Sequence, residues 1–493
     1  MKLLQSSFIL MAVISLAGCK KYLSEEPTKQ TSIQTVDQLE ALVNNAGIFS
    51  DENNATAAYS TDDCEITKEL FSKNPDAFGN DLLQYYVFGV EGVANQSSDQ
   101  LWSGEYEKIF AANLILENID KVKGSDAIRN RVKADAHFIR AYSNWVLVNN
   151  YCAPYSPANL GSMGLPLKKT VDYEESGKRA TLGETYDFIL SDIAEAQKTA
   201  PDDVASRLTW RASQKAISAF LSRFYLFIGD YDKSLAEADK ALASASRKLV
   251  DYNTLAAGNP ETYPVGNSIV TLNYLETNDW NSYNGSKYLY WDESYYTRYV
   301  YNPNQWYVPS AALLALYDKQ SDLRYKGFMI PNGGLRMSVS DPATFRYTVF
   351  YDGANLPEGL TVAEVLLNKA EVLARKGDLT AMDAVNRIRM KRMVTGQYTP
   401  LTAAGRDDAI RKVLEERRRE LPFVMRWYDI RRFSVNDYPG DDIAVTRDFF
   451  NVGTASVDVN SPKTYTLNAK RYLVPITNLD IRASKGQLVQ NPY

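Results

Sequence analysis

From Thr361 to Phe433 the apolar residues keep helical time almost without a break, and this stretch limits the fold more than any other. Thr361 and Glu364 have the spacing of a capping box, in which the hydroxyl takes the Glu364 amide and the carboxylate reaches back. Val362, Leu366, Ala370 and Leu373 then recur as one stripe. Gly377-Asp378 ends that helix, and Ala381, Ala384, Val385 and Ile388 start another. A third carries Ile410, Val413, Leu414 and Leu421, and Pro422 suits the first turn of a fourth, where Phe423, Trp427 and Ile430 share a face. The run Glu415-Glu416-Arg417-Arg418-Arg419-Glu420 lies inside this platform. Successive helical residues turn by about 100°, so the three arginines cannot all face a phosphate backbone. Interleaved glutamates and a net charge of −5 also argue against nucleic acid. Arg417 belongs near the apolar stripe, buried and ion-paired, so the run is expected to be a salt-bridged helix.

The same logic recurs upstream. Helices are expected over 100–121, with Ile109, Ala112, Leu116 and Ile119 on one side, over 132–150, and over 181–199. Residues 212–243 form a helical hairpin turning at Gly229-Asp230, as the later hairpin turns at Gly377-Asp378. The two glycines lie much further apart than the roughly 34-residue period of a tandem tetratricopeptide array. An inserted region therefore separates the hairpins. The single histidine, His137, sits in an apolar helix and is expected to be structural.

That inserted region, 251–359, loses the helical period. Ser268 to Leu275 reads as a strand bounded by Gly266-Asn267. Trp280, Tyr283, Tyr288, Tyr290, Trp291, Tyr295, Tyr296, Tyr299, Tyr301, Trp306 and Tyr307 then crowd between residues 280 and 307, several times the chain's 12% aromatic content. Asp292, Glu293 and Arg298 are among the polar residues interleaved with them. Tyrosine and tryptophan offer a flat apolar face with a polar edge at small entropic cost. Sugar rings present the complementary surface, a C–H face rimmed by hydroxyls. Candidate ligand residues are therefore Trp280, Tyr283, Tyr288, Tyr290, Trp291, Tyr295, Tyr296 and Trp306, with Asp62 and Asp63 of the polar 59–69 segment as a second candidate set.

The N-terminus has its own signal. Lys2 precedes an apolar run from Phe8 to Leu16, which spans only about half a bilayer's hydrocarbon core as a helix. It suits a signal peptide. Leu16-Ala17-Gly18-Cys19 resembles a bacterial lipobox, which implies cleavage before Cys19 and lipid on its thiol. The remaining cysteines, Cys64 and Cys152, do not make a disulfide framework. No metal-ligand spacing, Gly-x-Ser-x-Gly elbow or phosphate-cradling glycine loop occurs, and no cofactor is expected.

Taken in order, the motifs resemble those of the SusD/RagB nutrient-binding lipoproteins of Bacteroidota. The residues that carry the resemblance are the lipobox, Trp102…Tyr106…Ile109…Ala112-Asn113, and Ala136-His137-Phe138-Ile139-Arg140-Ala141-Tyr142. Further along come Val385-Asn386-Arg387-Ile388-Arg389, Glu416 to Leu421 with Arg426 to Arg432, and the ending Tyr472-Leu473-Val474-Pro475-Ile476…Gln490-Asn491-Pro492-Tyr493. The resemblance implies a mainly α fold: about four tetratricopeptide-like hairpins packed against an irregular, loop-rich ligand-binding portion with few short strands. It also implies an outward-facing outer-membrane lipoprotein that binds oligosaccharides without catalysis and passes them to a SusC-like TonB-dependent transporter. The resulting division is signal peptide 1–18, lipidated tether 19–30, helical part 31–250, insertion 251–359, and helical part with tail 360–493. Three other readings are open: a peptide receptor of the same family, a glycoside hydrolase using a carboxylate pair, and a helical adaptor that binds only its transporter. Positions 422–425 read Pro-Phe-Val-Met, where relatives carry a Phe-Glu-Gly-type turn.

Overall fold

The computed structural model describes residues 33–243, 246–255, 257, 260–275, 291–301, 308–337, 346–348 and 355–493. The expected signal peptide, Cys19 and the expected tether lie outside them. Helix α1 (Val36–Val43) starts in a capping box between Thr35 and Gln38. It covers a small core of Val36, Leu39, Val43 and Phe49 with Ile115, Val132 and Ile139. Those last three come from α2 (Gln100–Asn118) and α3 (Asp126–Tyr151). Helix α3 begins earlier than its apolar stripe, because its first turn is polar. Helix α4 (Leu182–Thr199) packs beside α3 and is capped by Thr181, with Glu184 completing the box.

Helices α5 (Gln214–Phe227) and α6 (Tyr231–Leu242) form the first hairpin of the expected kind. Helices α7 (Val362–Arg375) and α8 (Ala381–Arg392) form the second. Each turns on a glycine at positive φ, Gly229 at +79° and Gly377 at +80°, a conformation that a Cβ makes costly. Helix α6 packs on α7, so the hairpins separated in sequence stack in space. Helices α9 (Arg406–Glu420) and α10 (Val424–Phe433) follow, α9 lying along α7.

The strands are short, and the mainly α class holds. Strand β1 (Glu261–Val265) pairs antiparallel with β2 (Ser268–Leu272) around Gly266, so the expected strand ends sooner and has a partner that its sequence did not announce. Strand β3 (Ser294–Tyr296) pairs with β4 (Leu360–Thr361), closing the insertion onto α7. Strands β5 (Thr446–Val452) and β6 (Val457–Thr466) make a hairpin before α11 (Asn478–Ala483). Residues from both helical parts and the insertion share one large core, in which Trp145, Phe220, Tyr296, Val365 and Trp427 are all buried. No helix of the described residues is long and apolar enough to cross a membrane.

Two local expectations change. Thr361 does accept the Glu364 amide at 3.2 Å. The Glu364 carboxylate does not return to its own helix; it takes Arg223 of α5 at 2.6 Å through both oxygens. A buried guanidinium needs that charge more than an amide needs a second cap. Pro422 lies before α10 rather than in its first turn, and Phe423 caps the helix at φ +69°. Its ring is buried, and its amide donates to Asp63 Oδ2 at 2.9 Å, which holds the strained backbone.

The arginine run is a salt-bridged helix, as read. Arg417 is buried and pairs with Asp429 at 2.8 Å, while Arg419 pairs with Glu416 at 2.8 Å. Below α9, Glu371 accepts from Arg432 at 2.6 and 2.7 Å and from Arg375 at 2.8 Å. Burial alone would raise its carboxyl, but the two guanidiniums hold it well below the usual carboxylate range. A depressed folded-state pKa contributes stability above the unfolded value and loses it as pH falls. Glu371→Gln should therefore cost about 3–5 kcal/mol near neutral pH. The difference from wild type should narrow as pH falls below about 4, where the unfolded wild-type carboxyl takes up a proton that the folded one, held low, does not. Denaturant unfolding of the two proteins across pH reads this directly.

Candidate functional site

Helix α2 presents Trp102, Tyr106 and Phe110 four residues apart, hence along one side. Asp99 caps the helix by accepting the Trp102 amide at 3.1 Å and takes the Tyr151 hydroxyl at 2.6 Å. Trp102 packs on Tyr106 at 4.8 Å and edge-on against Tyr151 at 4.9 Å. The Tyr106 hydroxyl donates to the Pro166 carbonyl at 2.9 Å, fixing the loop between α3 and α4 above the helix.

That loop is clasped by one carboxylate. Glu175 accepts the Lys169 amide at 3.0 Å and the Thr170 amide and hydroxyl at 3.1 Å. The Lys168 ammonium donates to the Glu175 carbonyl, Asp172 accepts the Glu174 amide at 2.9 Å, and the Val171 amide reaches Glu117 at 3.0 Å. The clasped loop lifts Tyr173 over Phe110, with centroids 5.5 Å apart and planes inclined by 27°. Tyr173 is 87% exposed, against single-digit values for the core tyrosines. Residues 480–488, from α11 onward, form the third wall. Gln487 accepts the Gly177 amide at 2.6 Å, and Lys485 pairs with Glu174 at 3.0 Å.

These walls enclose an open cleft of about 630 Å³, a volume typical of a small-ligand site. Its lining carries Glu107, Asp172, Glu174, Glu175 and Asp480 against Lys168 and Lys485, with Asn113, Ser103 and Gln487 as further polar groups. An exposed ring beside these polar groups can stack on a flat C–H face while the amides and carboxylates take hydroxyl protons. No group of three His, Cys, Asp or Glu side chains among the described residues could hold a metal ion.

The residues singled out from sequence fall elsewhere. Trp280, Tyr283, Tyr288, Tyr290 and Trp306 lie outside the described residues. Trp291, Tyr295 and Tyr296 are described, and all three are core rings rather than exposed ones. Tyr296 packs edge-on to Phe138 at 4.8 Å, the Tyr295 hydroxyl donates to the Ala241 carbonyl at 3.0 Å, and Trp291 packs edge-on to Tyr252 at 6.0 Å. Two of the interleaved charges are interior as well: Glu293 pairs with Arg392 at 2.8 Å and Arg298 with Glu105 at 2.7 Å. Strand β3 is buried along its whole length, so it packs rings inward with no alternation to betray it.

Asp63 is fully buried, accepting from Arg418 at 2.5 Å as well as from Phe423, and burial outweighs these partners and raises its carboxyl. Asp62 keeps some exposure and is gripped bidentately by Arg426 at 2.8 Å. Burial pushes its carboxyl up, but the guanidiniums of Arg426 and Arg418 win and hold it low. Asp62 borders a second opening of about 630 Å³ with Glu65, Ser310 and Asp448. There the 59–69 segment meets the end of the aromatic stretch, the Glu65 amide donating to the Val308 carbonyl at 3.0 Å. His137 is structural, its Nδ1 lying 2.7 Å from Asp192. Cys64 and Cys152 are buried thiols, and burial pushes Cys64 up to about 12. The Tyr173 cleft was missed from sequence. The i, i+4, i+8 rings of α2 were visible, whereas Tyr173 is one aromatic in a polar loop.

Comparison with known proteins places these features in a group. Residues 21–226 match a family model described as starch-binding and associating with the outer membrane, and residues 360–493 match the SusD family model. Together they span well over half of the chain. SusD-like protein P2 of Formosa agariphila is 24% identical over 399 residues, covering 70% of this chain and 74% of that one. A SusD superfamily protein of Bacteroides thetaiotaomicron superposes with a TM-score of 0.65 at 18% identity, covering 93% of this chain and 100% of that one. A laminarin-binding SusD-like protein superposes at 0.59 with 16% identity, over 93% and 100%. At these identities the structural likeness is one of fold.

Exposure separates the two kinds of ring, and mutation should separate them too. Trp291→Ala should cost about 3–5 kcal/mol through the cavity it leaves. Tyr173→Ala should change stability by no more than about 0.5 kcal/mol. Thermal unfolding of the two variants beside wild type tests the contrast.

Proposed function

Because the chain belongs to the SusD family, we propose that it captures oligosaccharides at the cell surface and hands them, unaltered, to a SusC-like TonB-dependent transporter. In this reading Cys19 carries the lipid that anchors it to the outer membrane, facing outward. The observation that carries the binding role is the Tyr173 ring, held out over Phe110 above a cleft of polar side chains. Exposing a large aromatic surface forfeits burial energy, and a clasped loop that does so is organised for a ligand. The laminarin-binding relative supports a carbohydrate. Trp280, Tyr283, Tyr288, Tyr290 and Trp306 are a second proposed contact zone for a longer chain.

Titration of the mature protein with neutral oligosaccharide panels, followed calorimetrically, tests this. Tyr173→Ala and Phe110→Ala should each weaken binding by about 3- to 10-fold, the worth of one aromatic contact. Trp280→Ala combined with Trp306→Ala shows whether the second zone contributes. Recovered oligosaccharides should keep their length; shortened chains would make the protein a hydrolase, and heat only with peptides would make it a peptide receptor.

A further inference from the structure

The charges around the Tyr173 cleft are unbalanced in a way that bears on which sugars it can take. Glu107 and Asp172 are exposed at its rim. Lys485 pairs with Glu174 at 3.0 Å, and Lys168 bonds a backbone carbonyl that leaves its charge in place, so two ammoniums stand among five carboxylates, Glu107, Asp172, Glu174, Glu175 and Asp480. Asp172 spends one oxygen on the Glu174 amide and, as a carboxylate, remains an acceptor on every other site. The face of the Tyr173 ring is itself electron-rich and attracts cations. The lining is therefore net negative. A negatively charged sugar therefore meets repulsion from the rim and from the ring it must stack on, whereas an amino sugar is attracted by both.

Resting on the carbohydrate reading of this cleft, we infer that it ranks sugars by charge: amino sugars bind best, neutral sugars next, and uronates worst. The ranking comes from the juxtaposition of an exposed tyrosine face with a lining in which carboxylates outnumber ammoniums. It holds for whatever linkage the cleft accepts, because the charges surround the ring rather than one end of a chain.

Monosaccharide probes remove linkage from the test. Saturation-transfer NMR on the mature protein would use methyl glucoside, methyl glucosaminide and methyl glucuronide at about pH 6, where the amine is protonated and the carboxylates charged. At low salt the glucosaminide should bind at least about fivefold tighter than the glucuronide, with the glucoside between them, and high salt should compress the series. Glu107→Gln combined with Asp172→Asn should also compress it, and Tyr173→Ala should weaken all three by about 3- to 10-fold. A glucuronide that binds as well as the glucosaminide, still in a Tyr173-dependent way, overturns the ranking and leaves the sugar site standing. Signals that are absent, or indifferent to Tyr173→Ala, overturn the sugar site and the ranking with it.

Discussion

Buried arginine–carboxylate pairs tie this fold together across its longest sequence separations. Arg298 of the insertion reaches Glu105 on α2 at 2.7 Å and Glu52 at 3.4 Å. Arg223 joins the first hairpin to the second through Glu364 at 2.6 Å. Arg392 links α8 to Glu293 of the insertion and to Glu420 of α9 at 2.8 and 2.7 Å. Burying such charges costs several kcal/mol per ion, so the pairs contribute little net stability over apolar side chains of the same shape. What they do impose is exactness of assembly, because any packing that misplaces one partner strands the other. The insertion is thereby locked to both helical parts rather than merely resting on them. Two guanidiniums depart from the pattern. Arg447 and Arg431 bond backbone carbonyls instead of carboxylates, and burial lowers both, Arg431 to about 10.

This lattice explains which parts of the molecule could be read from the sequence. Hairpins with a local signature were legible: apolar stripes at helical spacing, and Gly229 and Gly377 at their turns. Partner choice over long separations was not. Glu364 looked like a capping residue because only its own helix is visible in sequence, whereas Arg223 stands 141 positions away. Phe423 looked like an ordinary first-turn residue, since its left-handed backbone is held by Asp63, 360 positions distant.

Aromatic density misled for a related physical reason. A tyrosine-rich polar stretch seemed to lack the hydrophobic run needed to bury its rings, yet Tyr295 and Tyr296 are interior. Their neighbours Glu293 and Arg298 are neutralised by partners from other elements, so polarity along the chain did not mean exposure in space. The opposite held for Tyr173, which nothing in its neighbourhood marks out. Its exposure is decided by the Glu175 clasp and by the contact of Phe110 beneath it.

Helix α2 is where lattice and cleft meet, and its two faces answer to different demands. Glu105 and Lys108 point inward, 2.5 Å from each other, and Glu105 also accepts from Arg298, with Ile109 and Ala112 buried beside them. Tyr106 and Phe110, on another side, are only partly buried and floor the cleft. The inward face cannot shift without breaking a desolvated ion pair, so the outward rings are held in place by charges they never touch. A stacking site needs that rigidity, because an aromatic platform free to turn would lose in entropy what the contact gains. The ionic interior thus fixes the rings that floor the cleft.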